Sequence, residues 1–497
     1  MTLSRTLSAA ASLLLAAAAL AAPPAKVALK GGRIIPVVGD DIPKGTVLIE
    51  NGKIAAIGPE ADVQIPFDAM EVDCTGKVLM PGLVDPHSAR GLDVANETIP
   101  VTPFLNTYDA IDPARVYFED ALRDGVTTVH VMVANETVIG AVSRVVRPIG
   151  LTVDEMTVRP DVALKFSTSP RTGADRMTQL ALMREAFLDL QDSTARLAEK
   201  KYEDSLKKDE KKIDVGPAEA RKRGLPLLED SDYDDKYLNL ARAKRGDLGA
   251  WFYCGAATDV APAIRIATDE GLLEHTVFVL GSDAHRAVAE LAKAKRPVVL
   301  DESLFHRDRD EMTGKIKETF VPKVFFDAGL PFALQPNPNA SMAERYLTYQ
   351  AAVCVRNGVP RQAALESITI NPAKFVGMGD RLGSLEKDKI ANVVVLSGDP
   401  LDFNSWVELV YIDGIRAYDR AKDIRLDEVT KLERANAQKV KDKQDAEAKE
   451  REKQKQAAEE QKKAAEKKDE PKPADAPKPA GDAPAPDQPK GAEGGKP

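Results

Sequence analysis

Residues Ser367 to Leu401 read "SITINPAKFVGMGDRLGSLEKDKIANVVVLSGDPL", and this stretch decides the fold. Asn371-Pro372 is the start signal of a helix, with Asn as the N-cap and Pro at the first helical position, where its missing N–H costs nothing. After a turn, "IANVVVLSGDPLDF" from Ile390 reads as a short apolar strand. Outward from it, "VELVYIDGIRAYD" (Val407–Asp419) carries Asp413-Gly414, a two-residue hairpin signal whose residues tolerate positive φ. The same texture stands at the other end of the chain. "VALKGGRIIPV" from Val27, "GTVLIENGKIAAIG" from Gly45 and "MEVDCTGKVLMPG" from Met70 are short β segments, and Asn51-Gly52 is a second hairpin turn. Two β regions so far apart most simply form one sheet, with the intervening chain as an inserted domain.

Within that insertion apolar β runs alternate with helical patterns. "GVTTVHVMV", "LGAWFYC", "HTVFVLG", "RPVVLDE" and "LPFALQ" are the strands, while "DVAPAIRIATDEGL" and "AHRAVAELAKAK" have helical spacing. The alternation predicts an α/β protein with a parallel sheet, and at this length a (β/α)8 TIM-like barrel. From about Gln179 an amphipathic stretch runs into "ARLAEKKYEDSLKKDEKK" and stops at Gly216-Pro217, a charged helical excursion near residues 190–245.

The first residues have the composition of a secretory signal. Arg5 is the basic end, "AAASLLLAAAALAA" the apolar middle, and Ala19-Leu20-Ala21 an A-x-A cleavage site, so residues 1–21 are expected to be removed and the protein exported to the periplasm or beyond. No later run is long and apolar enough for a membrane span. The formal charge of −9 argues against a nucleic-acid partner. Cys74, Cys254 and Cys354 are odd in number and in no CxxC arrangement, which points to neither a disulfide framework nor a thiolate metal site. After Asp419, residues 420–470 have the composition of a charged helix without a sustained apolar seam, and residues 471–497 that of a disordered Pro/Ala-rich tail.

"MPGLVDPHSARG" (Met80–Gly91) poses the functional question. Residues two apart on a strand share a face, so a second metal ligand beside His87 would stand at position 89, which is Ala. "PGLVDPHSA" approximates a "PGLIDxHxH" signature, and with the Ser367–Leu401 segment it makes the chain, from about Val27 to Tyr418, resemble the amidohydrolase superfamily and within it the imidazolonepropionase-like metal-dependent hydrolases. That resemblance implies a barrel (residues 82–376) carrying a small composite β-sandwich from residues 22–81 and 377–419. It also implies a metal, usually zinc, at the barrel mouth, held by two His on strand one, a Lys or Glu on strand four, a His on each of strands five and six, and an Asp on strand eight.

Set against that implied ligand set, His87 is retained, and Ala89, Tyr253, Ser282 and Asn337 stand at the other expected positions. An Asn cannot take a proton from water as the Asp would, so no catalytic residue is assigned. Lys165 in "DVALKFSTSP" is a weak candidate for the strand-four position, and His130 in "VTTVHVMV" for a substitute ligand; Asp85 reads as structural, His275 as lying at the wrong barrel end, and His306 as a solvated loop residue. Three functions follow. The leading expectation is a binding or scaffold protein that has lost metal-dependent C–N hydrolysis, with no cofactor and with a small ligand or a protein as partner. The alternatives are an active hydrolase of cyclic amide or peptide-like bonds with an atypical one-metal site, zinc if active, and a structural cell-envelope protein.

Overall fold

The computed structural model describes residues 26–208, 215–300, 303–337 and 346–466. The expected signal peptide and Pro/Ala-rich tail lie outside the described residues. The chain divides into two compact units at Asp423/Ile424.

In the first unit five strands open the chain: β1 (Lys26–Ile34), β2 (Ile42–Glu50), β3 (Lys53–Pro59), β4 (Met70–Asp73) and β5 (Val78–Pro81). The barrel strands follow as β6 (Leu83–Ser88), β7 (Val126–Val131), β8 (Ile139–Val142) and β9 (Arg144–Val146), then, after a short β10 (Thr157–Arg159), β11 (Ala163–Ser167), β12 (Gly249–Cys254), β13 (Thr276–Leu280) and β14 (Val298–Leu300). A hairpin of β15 (Phe305–Arg309) and β16 (Ile316–Phe320) precedes the last barrel strand, β17 (Phe332–Leu334), and β18 (Val393–Leu396), β19 (Val407–Ile412) and β20 (Ile415–Asp419) close the unit.

Both ends of the unit share one eight-stranded sheet in the order β20-β19-β18-β5-β1-β2-β3, with β4 also on β1. The first half of β1 pairs in parallel with β4 and the second half with β5, so the sheet forks there into two layers. Val27, Leu29, Ile34, Val47 and Ile54 pack between them against Val393, Val395 and Tyr411. Val394 and Leu396, on the opposite face of β18, belong to the barrel-side core, which is why this strand reads as an unbroken apolar run. The two hairpin turns adopt the left-handed geometry their sequences allow, with φ of 49° and 78° at Asn51-Gly52 and 50° and 73° at Asp413-Gly414. They lie against each other: a Cβ on Gly414 would come 2.8 Å from Ile49 Cγ2, and Ala391 N donates to the Gly52 carbonyl at 2.9 Å.

In the barrel, β6 and β7 are parallel, and β11, β12, β13, β14 and β17 form a parallel run. Between these groups the expected alternation fails, because β8 and β9 run antiparallel to their neighbours β11 and β7. The third position of the barrel is thus filled by a strand entering from the mouth after a short connection, with no crossover helix before it. Between β17 and β6, Leu334 N donates to Ser367 O and Val84 N to Ile368 O, so the segment at Ser367 bridges the first and last strands. The helix after it spans Ile370–Phe375 and has Thr369, not Asn371, at its N-cap. Asn371 instead donates its side-chain amide to Phe332 O of β17 at 3.0 Å, a tertiary bond that outweighs the local capping preference.

The charged excursion is a helix, Arg176–Lys208, packed with helix Pro217–Gly224 and followed by helix Asp235–Arg245. In the second unit, helix Ile424–Glu466 is exposed along nearly all of its described length. No described helix is long and apolar enough to cross a membrane. Truncation after Asp423, which keeps the ion pair of that residue with Arg123 (2.8 Å), is expected to leave the thermal midpoint within about 2 °C, since the helix buries no apolar stripe along its described length. A scan comparing full-length and truncated protein checks this, and a larger drop would mean that the helix carries stability.

Candidate functional site

Period-two alternation assigns the barrel interior. On β11, Leu164 and Phe166 pack outward in the main core, whereas Ala163 lines the interior and Lys165 follows it on the same face. On β12 Trp251 and Tyr253 point inward, and on β17 Ala333 does, which carries Gln335 to the same side just past the strand end. His87 reaches the interior by a different device. The β6–β7 ladder pairs Asp85 with Val129 and Ser88 with Val131, three residues against two, and this bulge turns both Val84 and His87 inward.

These side chains meet at one point. Lys165, 0% exposed, places Nζ 2.7 Å from His87 Nε2 and 2.8 Å from Asn135 Oδ1, with the Tyr253 ring centroid 5.6 Å away. His87 Nδ1 lies 3.0 Å from Gln335 Oε1, and Gln350 Nε2 donates to the Gln335 carbonyl at 2.8 Å. An ammonium has no lone pair, so a charged Lys165 donates to His87 Nε2 and fixes the ring as the Nδ1–H tautomer, which in turn donates to Gln335. Trp251 forms the floor: His87 stacks on it at 6.5 Å between ring centroids, and His130 meets it edge-on at 4.5 Å. Glu97 enters from the loop after β6. A Cβ on Gly140 would come 3.0 Å from Glu97 Oε1 and 3.3 Å from Lys165 Cβ, so the missing side chain of Gly140 makes room for a carboxylate next to the lysine stem. Glu97 Oε1 accepts from Ala141 N at 2.7 Å, and its buried Oε2 has no partner among the described residues.

The other sequence-derived candidates are placed as follows. His130 does not join His87: its Nδ1 bonds the Pro86 carbonyl at 2.8 Å and its Nε2 the Ser143 hydroxyl at 2.7 Å. Burial pushes its pKa down to about 3, so Nδ1–H donates to Pro86 O and Nε2 accepts from Ser143. Asp85 accepts from Tyr117 Oη (2.6 Å) and from the His87 backbone N (3.2 Å) and serves to hold β6. Ala89 is half-buried beyond the end of β6, and Asn337 lies half-buried two residues past Gln335. Ser282 bonds His306 at 3.1 Å. His306 is therefore not merely solvated; it is half-buried on β15 because the hairpin folds against the turn after β13. Gln335, Asn135, Trp251 and Glu97 were not singled out from the sequence, although alternation from Ala333 places Gln335 on the inner face.

A zinc centre needs three or four N, O or S ligands in tetrahedral order. The group gathered here offers one imidazole with both nitrogens engaged, a single carboxylate at Glu97, an amine, a phenol and amides. Among the described residues no three His, Cys, Asp or Glu side chains are arranged to hold a metal ion. The donor set does not fit the metal that the fold implies.

The neutral state of His130 has a pH consequence. Its folded-state value of about 3 lies below the ordinary 6.5, so the unfolded chain binds the proton first as pH falls. The stabilisation is present above about pH 6.5 and is lost progressively toward pH 3. The imidazole NMR signals of His130 are expected to stay in the neutral position down to about pH 4, and movement near pH 6.5 would contradict this.

A mostly parallel barrel of this kind, joined to a sheet built from both ends of the first unit, is a TIM-barrel-like α/β fold, a class whose site residues gather at the strand ends. The profile of the amidohydrolase family matches residues 186–418. A solved amidohydrolase from Thermotoga maritima is 29% identical, with a TM-score of 0.66, covering 79% of this chain and 100% of that one. The imidazolonepropionase of Symbiobacterium thermophilum is 23% identical over 396 residues, covering 72% of this chain and 84% of that one. The amidohydrolase tasK of Hapsidospora irregularis is 24% identical over 415 residues, 76% of this chain, which spans 40% of that relative's length. Together these matches support a place for the chain in the amidohydrolase superfamily.

Proposed function

We propose that the barrel mouth binds a small cyclic amide or peptide-like compound and hydrolyses its C–N bond with Lys165 in the electrostatic role that the superfamily's metal usually fills. The observation that carries this reading is a fully buried lysine amine 2.7 Å from an imidazole nitrogen at the strand ends. A buried amine is a strong, fixed positive charge or, deprotonated, a base, and nothing in barrel packing calls for one. As the ammonium it stabilises the oxyanion that forms when water adds to the carbonyl carbon. Glu97 takes the proton from that water and returns it to the leaving nitrogen. The relationship to imidazolonepropionases and other amidohydrolases supports a hydrolase over a scaffold.

Binding without turnover is the second reading, favoured by the mismatch between the donor set and a metal. The two separate in one experiment. Purified protein is given a panel of cyclic amides and dipeptides, with binding followed by calorimetry and products by mass spectrometry, with and without a chelator. Turnover that resists the chelator and falls by about 100-fold in Glu97→Gln supports the hydrolase. Binding without product supports the second reading, and turnover lost to the chelator overturns the role of Lys165. Export through the N-terminal segment, and a small molecule in place of nucleic acid as partner, complete the proposal.

A further inference from the structure

We propose that Ser282 is a nucleophile activated by His306 and Asp308, an acyl-transfer centre on the turn after β13 that does not depend on Lys165. Gly281 N donates to Cys254 O at 2.9 Å, the last bond that ties this segment to β12, and the chain then turns at once into the 3-10 helix Ser282–Ala287. That sharp exit leaves Ser282 half-buried at the C-terminal end of a barrel strand. From the hairpin after β14, His306 brings Nδ1 to 3.1 Å from Ser282 Oγ. Its other nitrogen, Nε2, lies 3.1 Å from Asp308 Oδ1 and 3.7 Å from Asp283 Oδ1. Asp308 is two residues along β15 from His306, and so stands on the same face of the strand.

The order of these contacts sets the tautomer. A carboxylate only accepts, so Nε2 carries the proton and Nδ1 keeps the lone pair that faces the serine hydroxyl. Desolvation works against ionisation of Asp308, yet the His306 hydrogen bond and the Arg286 charge bring its carboxyl below the ordinary value. Nucleophile, base and orienting carboxylate are thus in hydrogen-bond sequence, the arrangement that activates a serine whatever the fold around it. The imidazole here uses Nδ1 toward the serine, the reverse of the usual assignment.

The substrate class is an ester or other activated acyl compound. Ser282 Oγ attacks the acyl carbon, its proton passes to His306 Nδ1, and the carbonyl electron pair moves to oxygen. Collapse breaks the bond to the leaving alcohol, which takes the proton from Nδ1. Water then repeats the sequence on the acyl-serine, releasing the acid and restoring the hydroxyl. Ester and water become acid and alcohol, and no further reactant is needed.

The bland alternative is that the Ser282–His306 bond only fastens the hairpin to the barrel. Full-length protein treated with an aryl phosphonyl fluoride distinguishes the two: the Oγ–P bond forms as fluoride leaves, and the adduct is located by peptide mass spectrometry. One adduct per chain at Ser282, absent in Ser282→Ala and about 100-fold slower in His306→Gln, is the expected result. No adduct at Ser282, or one formed at an unchanged rate in His306→Gln, overturns the proposal.

Ser282→Cys gives a second measurement that leaves His306 in place. The three native cysteines are buried, and desolvation pushes their thiols up to about 11, 12 and 12 at Cys74, Cys254 and Cys354. Iodoacetamide should therefore report the introduced thiol. His306, with His285 at 5.0 Å between rings and Asp283, Arg286 and Asp308 around it, is expected to lower the inflection of the alkylation rate by at least one pH unit from the ordinary thiol range of about 8.5. An inflection in the ordinary range counts against activation. Failure of the amide panel above would leave either result standing.

Discussion

Lys165→Met is expected to abolish hydrolysis of any amide found in the panel, by about 100-fold or more, while weakening the fold by about 2–4 kcal/mol. The activity loss follows from removing the one fixed positive charge at the proposed oxyanion, an effect of about 10²–10³ for a single donor elsewhere. The stability loss has a separate origin. Methionine fills the volume of the lysine stem, but His87 Nε2 and Asn135 Oδ1, now 2.7 and 2.8 Å from the amine, lose a donor inside the barrel, at about 1–3 kcal/mol for each buried group left unsatisfied. Urea denaturation and single-turnover kinetics on the same preparation separate the two. A stability loss without any change in turnover would make Lys165 a structural residue and sink its catalytic role.

The Lys165 case also shows what was legible in the sequence. The ends of the chain were readable because hairpin turns need positive φ, and Asn-Gly and Asp-Gly signal it directly. The parallel barrel strands were readable as short apolar runs. The reversal of β8 and β9 was not: a strand buried on both faces has the same composition in either direction, and direction is set by connection length and partner, which are tertiary facts. At the site, the alternation on β11 was enough to put Lys165 inside, but its meeting with His87 depends on the bulge in β6, which leaves no local signature. Gln335 was reachable by counting two residues from Ala333. Glu97 was not, because it comes from an irregular loop and its place is set by the absence of a side chain at Gly140. His306 was misread since a polar stretch gives no hint that its hairpin folds back onto Ser282.

Trp251→Ala is expected to cost about 3–5 kcal/mol, the range for truncating a large aromatic side chain in a packed interior. Trp251 is 1% exposed and contacts both histidines of the interior at once, so its loss opens a cavity directly beneath the Lys165–His87 pair. Trp251→Phe keeps part of the floor and should cost less than half as much. Denaturant midpoints for the two variants test this, and equal losses would show that ring area is not what matters. Binding by Trp251→Phe should also be weaker than wild type, because the plane on which His87 rests is smaller.

The fork at β1 sets a schedule on how the molecule comes into being. β5 lies between β1 and β18, pairing Val78 with Leu396 and Pro81 with Val393, so the opening strands emerge from synthesis long before the segment that completes their sheet exists. Closing a loop of that length carries an entropic penalty before any contact repays it, and ladders between such distant segments form slowly. Until then the apolar faces of β1 and β2 have no cover and are open to chance pairing with other chains. The sheet cannot be finished until its last strands have arrived, so the opening strands depend on whatever keeps them apart from other chains in the meantime.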